Sequence, residues 1–367
     1  MRAPSSVAAA TALLLLATPA TAQLHKLAVQ AGLRYFGAAT DTPHQRERAP
    51  YPESYPQYDA ILADNDEFGQ TTPTNGQKWL FTEPAPRLFN FTEGDYVADL
   101  AASQGKLLRC HALVWHSQLA PWVEETNWTA PALADAIERH IRAVAGYYRG
   151  RCHAWDVVNE ALDEDGSYRQ SIFYRVLGEE YLRLAFRAAA AADPDAKLYY
   201  NDYGIERPTS PKTAGALRLV KMLKDAGLRV DGVGMQAHLH ADNHPSAEDL
   251  IATSEAYAEL VDEVAFTELD VRIKLPVDEQ KLQWQKECYQ KVVTACVKVK
   301  ACVGITLWDF YDPFSWVPHV FPNNGASLLW FEDFSKHPAY DGIIETFKSL
   351  IAEAEEQPKR RSLGWRA

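Results

Sequence analysis

The chain has 367 residues, with 49 acidic against 37 basic side chains and a formal net charge of −12. This charge is opposite in sign to that of proteins that bind a phosphate backbone, so nucleic acid is excluded as an expected partner. Beyond the first residues, no stretch is long and apolar enough to cross a membrane. The composition therefore favours a globular protein that acts neither on nucleic acid nor in a membrane.

The N-terminus has the pattern of a secretory signal peptide. Arg2 precedes an apolar run over residues 7–17, and small residues follow at positions 20–22. The apolar run is too short to span a bilayer, and small residues before Gln23 are typical of a cleavage site. We expect residues 1–22 to be removed and the product to be secreted, extracellular and soluble.

Extended apolar runs recur along the rest of the chain, with amphipathic helical segments between them. The runs are Tyr35–Ala39, Phe68–Thr72, Leu107–Trp115, His153–Val158, Lys197–Tyr200, Val233–Ala237, Val264–Thr267 and Gly304–Trp308. The helical segments include Ala132–Tyr148, Tyr174–Ala191, Ala214–Ala226, Ala247–Val261 and Glu279–Val299. This alternation predicts the α/β class and a (β/α)8 TIM barrel, in one domain over residues 23–354. Residues 355–367 are predicted to form a basic, disordered tail.

Five cysteines in an exported chain leave one without a partner. Cys296 and Cys302 are the favoured disulfide, because a short span between a helix end and the next strand closes a small loop with little strain. Cys110 and Cys152 begin neighbouring predicted strands, where they either form a bridge or stay as buried thiols. Cys288 is then the odd cysteine, on a helix. Export also makes two sequons candidate N-glycosylation sites, at Asn90 and Asn127.

Two segments carry a carboxylate at the end of a predicted strand. Glu160 ends the run that includes Trp155, and Glu268 follows Thr267 about a third of the chain later. The carboxyl ends of parallel barrel strands open on one mouth, so both glutamates are expected to face the same cleft. One protonated and one ionised carboxyl group are the apparatus for cleaving a glycosidic bond. The alternative is a pair of surface or helix-capping glutamates, which explains either segment alone better than both together.

Several motifs resemble those of the glycoside hydrolase family 10 endo-1,4-β-xylanases. The resemblance covers nearly the whole mature chain and is carried by His111–His116, Trp155–Glu160, Thr267–Asp270, and Trp308 followed eight residues later by Trp316. It implies a (β/α)8 barrel that hydrolyses the β-1,4-xylan backbone with retention of configuration. It also implies a monomer without metal or cofactor, whose partner is a polysaccharide or oligosaccharide.

The resemblance assigns the catalytic roles by position. Glu160 matches the general acid/base and Glu268 the nucleophile. Asn159 matches the donor to the 2-hydroxyl of the reacting sugar, a contact that strengthens in the transition state. The remaining residues around the nucleophile are His238, which bonds to it, Asp270, which orients His238, and Gln236, a further polar neighbour.

The resemblance also assigns the side chains that contact sugars. The polar residues expected on the glycone side of the cleft are Asn75, Lys78, His111 and Gln118. The aromatic walls around the reacting sugar are expected to be Trp115, Trp308 and Trp316. Tyr203 is expected to be the platform on the leaving-group side, because an exposed ring beside the apolar faces of sugars is a stacking surface.

One departure from the family pattern concerns substrate choice. The chain has Thr74 where the family usually has a glutamate that binds the second sugar on the glycone side. The shorter, neutral side chain predicts a weakened subsite. It is compatible with a xylanase of lower affinity and with a glycosidase acting on a plant saponin or another aglycone-linked β-glycoside. A barrel that binds glycans or proteins without catalysis is the third hypothesis, which absence of either glutamate would favour.

Overall fold

A computed structural model describes residues 24–43 and 55–363, with side chains as far as residue 356. The predicted signal peptide lies outside the described residues. Within the described residues the strands are Tyr35–Thr40 (β1), Gln70–Pro73 (β2), Leu107–Trp115 (β3), Ala154–Asn159 (β4), Lys197–Asp202 (β5), Gly232–Met235 (β6), His238–His240 (β7), Glu263–Lys274 (β8), Cys302–Leu307 (β9) and Asn324–Gly325 (β10).

Eight of these strands close into a parallel barrel. They follow the order β1–β2–β3–β4–β5–β6–β8–β9, and β9 pairs with β1, which closes the ring. The short strands β7 and β10 add to the C-terminal half of β8, β7 in parallel and β10 antiparallel. Each run predicted from the sequence is a barrel strand, with bounds shifted by a few residues in most cases. The predicted (β/α)8 barrel is therefore confirmed.

Helices surround the barrel. They are Leu24–Gln30 (α1), Pro56–Ala63 (α2), Trp79–Thr82 (α3), Thr92–Gln104 (α4), Pro121–Glu125 (α5), Ala130–Tyr147 (α6), Ile172–Leu177 (α7), Glu180–Ala192 (α8), Pro211–Asp225 (α9), Ala247–Ala258 (α10), Glu279–Lys298 (α11), Val317–Val320 (α12) and Pro338–Leu363 (α13), with a 3-10 turn at Asp312–Phe314. None of the described helices combines the length and apolar character needed to cross a bilayer.

Two helical segments differ from the sequence-based expectation. The single helix predicted over Tyr174–Ala191 is two helices, because Gly178 adopts a φ of +57° that ends α7. The tail predicted to be disordered from Glu355 is helical as far as Leu363. Its first residues, Glu355 to Gln357, are strong helix formers, and α13 continues past Pro358.

Strand β4 shows how the side chains divide between the two sides of the barrel wall. Trp155 is fully buried in the main apolar core together with Phe186 of α8. Ala154, on the opposite face, packs against Tyr199 in a small separate cluster. Successive strand residues point to opposite faces, so Asp156 also points into the barrel. A strand buried on both faces explains the nearly continuous apolar run in the sequence.

A buried ion pair occupies the interior of the barrel below its mouth. Arg109 and Asp156 form a two-point pair, with side chains only 2% and 1% exposed, and the Arg109 guanidinium lies 4.3 Å from the centre of the Tyr199 ring. Nδ1 of His111 lies 2.9 Å from the Asp156 carboxylate. Burial alone would raise the pKa of Asp156, but the charge of Arg109 and the bond from His111 hold it below its usual value. The carboxylate is therefore ionised and fixes the ring of His111.

Two disulfides lie on the outer side of the barrel wall. The bond predicted between Cys296 and Cys302 is present, and it joins the end of α11 to the start of β9. Cys110 of β3 and Cys152, just before β4, are also bridged, with Cα atoms 5.7 Å apart. Of the two alternatives left open by the sequence, the structure has the bridge. Cys288 is a buried free thiol.

Candidate active site

A cleft of about 730 Å³ opens at the carboxyl ends of the barrel strands. The predicted site residues that line it are Asn75, Lys78, His111, Trp115, Gln118, Asn159, Glu160, Tyr203, Gln236, His238, Glu268, Trp308 and Trp316. Asp270 is fully buried and lies behind His238, in contact with its ring. The side chains assigned from the motifs therefore come together in one place.

Glu160 follows the last residue of β4, in a left-handed backbone conformation with φ of +54°. Its N–H donates to the carbonyl of Asn201 at 2.9 Å, which fixes this turn against β5. The carboxylate accepts a hydrogen bond from Gln236 Nε2 at 3.2 Å, and Nδ1 of His116 lies 3.9 Å away. Burial lowers the pKa of His116, while the charge of Glu160 raises it less. A neutral imidazole therefore lies beside the Glu160 carboxyl group.

Glu268 lies within the long strand β8 and is 5% exposed. One carboxylate oxygen accepts a hydrogen bond from Asn201 Nδ2 at 2.8 Å. The other oxygen lies 3.2 Å from Nε2 of His238. Both oxygens of this carboxylate therefore have a polar partner, which fixes its orientation in the cleft.

His238 is held between two carboxylates. Its Nδ1 lies 2.8 Å from Asp270, whose carboxylate also accepts a hydrogen bond from Trp316 Nε1 at 2.8 Å. Burial lowers the pKa of His238, but the charge of Asp270 and the hydrogen bonds to Asp270 and Glu268 outweigh this effect. The pKa is therefore raised to about 10. The ring is therefore an imidazolium at neutral pH, with both nitrogens donating. The positive charge of this ring lies next to the carboxylate of Glu268.

A layer of amides links the two glutamates. The amide of Asn159 lies 2.8 Å from Asn201 Nδ2 and 3.1 Å from Gln236 Nε2. Asn201 reaches Glu268 and Gln236 reaches Glu160, so the layer extends from one carboxylate to the other. Close packing positions it: a Cβ on Gly234 would lie 2.2 Å from Asn201 Oδ1. Only glycine leaves this space for the Asn201 side chain.

A second polar network lies at the other side of the mouth, on the loops after β2 and β3. Lys78 Nζ donates to Asn75 Oδ1 at 3.0 Å and to Gln118 Oε1 at 2.6 Å. The same ammonium lies 4.5 Å from the centre of the Trp115 ring. A cation on one edge and an aromatic face beside it form a surface that can bind hydroxyl groups and stack on a sugar.

Tyr203 also lines the cleft, apart from the network around Lys78. Its hydroxyl accepts a hydrogen bond from Arg169 at 3.1 Å, and Lys212 Nζ lies 3.2 Å from the ring centre. Lys212 also pairs with Asp202 at 3.1 Å. Burial raises the pKa of Asp202 to about 7, while the charge of Lys212 lowers it and that of Glu160 raises it. These contacts fix the ring that was predicted to face the leaving group.

Several residues of the site were not assigned from the sequence. They include Asp41, His116 and Asn201. Asn201 and His116 stand in motifs at the ends of predicted strands, so the strand-end position was a signal for them. No group of three or more His, Cys, Asp or Glu side chains is placed to hold a metal ion within the described ranges. Asn90 and Asn127 are both exposed, and their glycosylation stays a prediction.

A (β/α)8 barrel whose mouth presents two linked glutamates among indole rings and polar side chains has the features of a glycoside hydrolase. Residues 23–346 match the family model described as glycosyl hydrolase family 10. The chain belongs to glycosyl hydrolase family 10, and the resemblance drawn from its motifs is confirmed.

Similar proteins carry one activity in their names. Endo-1,4-beta-xylanase A of Humicola insolens is 64% identical over 322 residues, which are 88% of this chain and 85% of that protein. An endo-1,4-beta-xylanase of Penicillium canescens superposes with a TM-score of 0.85 at 38% identity, covering 90% of this chain and 98% of that one. The family 10 xylanase of Bispora sp. MEY-1, solved with xylobiose, gives a TM-score of 0.83 at 38% identity, covering 88% and 99%.

Proposed function

We propose that this chain is a secreted, monomeric endo-1,4-β-xylanase that cleaves internal bonds of xylan with retention of configuration. The observation that carries the proposal is the pair Glu160 and Glu268, which face one cleft and are linked by a layer of amides. The names of the relatives, and the xylobiose in one related structure, support xylan as the substrate. The N-terminal pattern supports secretion.

Glu268 acts as the nucleophile and Glu160 as the general acid in the first half of the reaction. The side chain of Glu268 is 6% exposed and that of Glu160 13%, so Glu160 is the more accessible to a leaving group. An oxygen of Glu268 attacks the anomeric carbon while Glu160 donates its proton to the glycosidic oxygen. The bond to the leaving sugar breaks, that sugar departs with a hydroxyl group, and a covalent glycosyl–enzyme forms.

In the second half, Glu160 is ionised and acts as a base. It accepts a proton from a water molecule, whose oxygen attacks the anomeric carbon as the bond to Glu268 breaks. Two inversions restore the original configuration. Asn159 contacts the 2-hydroxyl of the reacting sugar, a bond that strengthens as positive charge develops on the ring.

The two sides of the cleft bind different parts of the chain. The network of Asn75, Lys78 and Gln118 binds hydroxyl groups on the glycone side, where Trp115 supplies an aromatic face. Tyr203 supplies the platform for the leaving sugar. Stacking on neutral sugars needs no charge, which is compatible with a net negative protein.

The other two hypotheses are less well supported. The relatives described above are named xylanases, which favours xylan over a saponin. A non-catalytic barrel would not need two carboxylates held by separate sets of donors, as Glu160 and Glu268 are.

The test uses polymeric xylan beside a glycosylated saponin. We expect viscosity to fall early relative to the release of reducing ends, because internal bonds are cut. Glu268→Gln is expected to abolish this activity. Glu345→Gln is the matched control, since Glu345 is an exposed acid of α13 that pairs with Lys286. Negligible hydrolysis of xylan by the folded wild type, with turnover of the saponin, would overturn the proposal.

A further inference from the structure

We propose that Asp41 is a positioning residue for the glycone side of the cleft. Its carboxylate fixes the amide of Asn75, and through Asn75 it places the Lys78 ammonium and the Gln118 amide that bind the second sugar. The inference rests on the proposed xylanase activity and names a residue that the reaction steps above do not use.

The fold places Asp41 beside Thr74. Asp41 directly follows β1, and the parallel register of β1 and β2 pairs Thr40 with Pro73. Asp41 and Thr74, the residues that follow this pair, therefore lie side by side at the barrel mouth. The side chain of Asp41 reaches the cleft lining although the residue is only 2% exposed. A buried carboxylate at this place needs partners that stabilise its charge.

Among the described residues, the hydrogen-bond partners of Asp41 are donors on the loop after β2. Oδ2 accepts a hydrogen bond from Asn75 Nδ2 at 2.6 Å and another from the hydroxyl of Thr74. Oδ1 accepts from the backbone N–H of Asn75 at 3.2 Å. Burial raises the pKa of Asp41 to about 6, while these donors and the charge of Lys78 lower it. At neutral pH the group is therefore ionised and can only accept hydrogen bonds.

This restriction sets the direction of the whole network. Because the NH₂ group of Asn75 faces Asp41, its Oδ1 is turned toward Lys78 Nζ at 3.0 Å and Gln118 Nε2 at 2.9 Å. A reversed Asn75 amide would oppose its NH₂ group to an ammonium and to another NH₂ group. It would remove one of the acceptors of Lys78 and the acceptor of the Gln118 NH₂ group, which is unfavourable in a half-buried site.

The same geometry changes the meaning of Thr74. The sequence alone suggested a subsite that lacks its acidic side chain. In the structure a carboxylate is present at this site, supplied by Asp41 from the end of the neighbouring strand and bonded to Thr74 itself. A glutamate at position 74 would therefore bring a second carboxylate against Asp41. Like charges at such a distance disfavour each other, so we expect this substitution to weaken the subsite.

The experiment compares two activated substrates that differ by one sugar. An aryl β-xyloside fills only the position of the reacting sugar. An aryl β-xylobioside also fills the position of the second sugar on the glycone side. For Asp41→Asn we expect kcat/KM to fall about tenfold or more on the xylobioside, mainly through KM, and to stay within about twofold on the xyloside. Asp225→Asn, at an exposed ion pair of α9, is the control and should change neither.

A second pair of variants separates positioning from general disruption. Thr74→Glu alone should also lower kcat/KM on the xylobioside, because two carboxylates then meet. Asp41→Asn combined with Thr74→Glu keeps one carboxylate at the site and should recover most of the discrimination between the two substrates. Equal losses on both substrates, no loss on either, or a double variant worse than both single variants would overturn the inference. Wild-type enzyme inactive on the xylobioside would instead refute the proposed function.

Discussion

The buried pair of Arg109 and Asp156 provides a stability prediction that also reaches the active site. Replacing Asp156 with Ala removes both carboxylate oxygens that accept hydrogen bonds from Arg109. It leaves a guanidinium that is 2% exposed without its counter-charge. It also removes the acceptor of His111, a residue of the cleft lining. The variant therefore tests whether the barrel interior supports the cleft above it.

The expected loss follows from this environment. Removing one partner of a buried ion pair typically costs about 3–5 kcal/mol, because the remaining charge is not solvated. The substitution also removes the hydrogen bond between Asp156 and His111, so we expect a loss of unfolding free energy in the upper part of this range. With an unfolding entropy of about 2.1 cal/mol/K per residue, each kcal/mol lowers the melting temperature of a barrel of about 330 residues by roughly 1.5 °C, which predicts a fall of about 6–8 °C.

The assay is thermal and urea unfolding of Asp156→Ala beside a surface control. Asp225→Ala breaks an ion pair with Lys221 in which both side chains are 63% exposed, and it should cost less than about 1 kcal/mol. Replacing both Arg109 and Asp156 with apolar residues should be less destabilising than Asp156→Ala alone. If Asp156→Ala were as stable as the surface variant, the interior pair would not have the role assigned to it.

Three further predictions concern residues of the active site. Glu268→Ala should abolish turnover of every substrate, whereas Glu160→Ala should spare activated aryl glycosides and lose about 10²–10⁴-fold on xylan; equal losses on both substrate types would reassign Glu160. NMR of the first product should show retention, and a crystal structure should place the two carboxyl groups about 5–5.5 Å apart; inversion would refute the double displacement. The raised pKa of His238, about 10, predicts stability that is complete below the ordinary pKa of 6.5 and is lost as pH rises toward 10. His238→Gln should flatten the alkaline decline in unfolding free energy, and an unchanged decline would contradict the assignment of the imidazolium.

The strands and the catalytic pair could be predicted from the sequence because both depend on local patterns. Glu160 and Glu268 each follow an apolar run, and the ends of such runs meet at one mouth in a barrel. Gly178 broke a predicted helix, because the amphipathic pattern continues across it while the backbone turns.

Other parts of the site depend on register between strands, which a single sequence does not give. The contact of Asp41 with Thr74 requires Thr40 to pair with Pro73. The role of Asn201 requires that its side chain reach both Asn159 and Glu268 from an intervening strand. Asp156 looked like one polar residue in an apolar strand, and its partner Arg109 lies on another strand. In each case the interaction depends on a partner from another strand or loop, which only the fold places.

The disulfide between Cys110 and Cys152 fixes strands β3 and β4 near their first residues, far from the end of β3 that carries Trp115. Cys110 lies five residues before Trp115 on β3, a distance of about 17 Å along an extended strand. The bond thus prevents β3 and β4 from sliding past each other at a point remote from the sugar. Loops at the mouth can then change in length or composition through evolution while the two strands below them keep their alignment. Variation in substrate preference is therefore accessible at the mouth without loss of the catalytic framework.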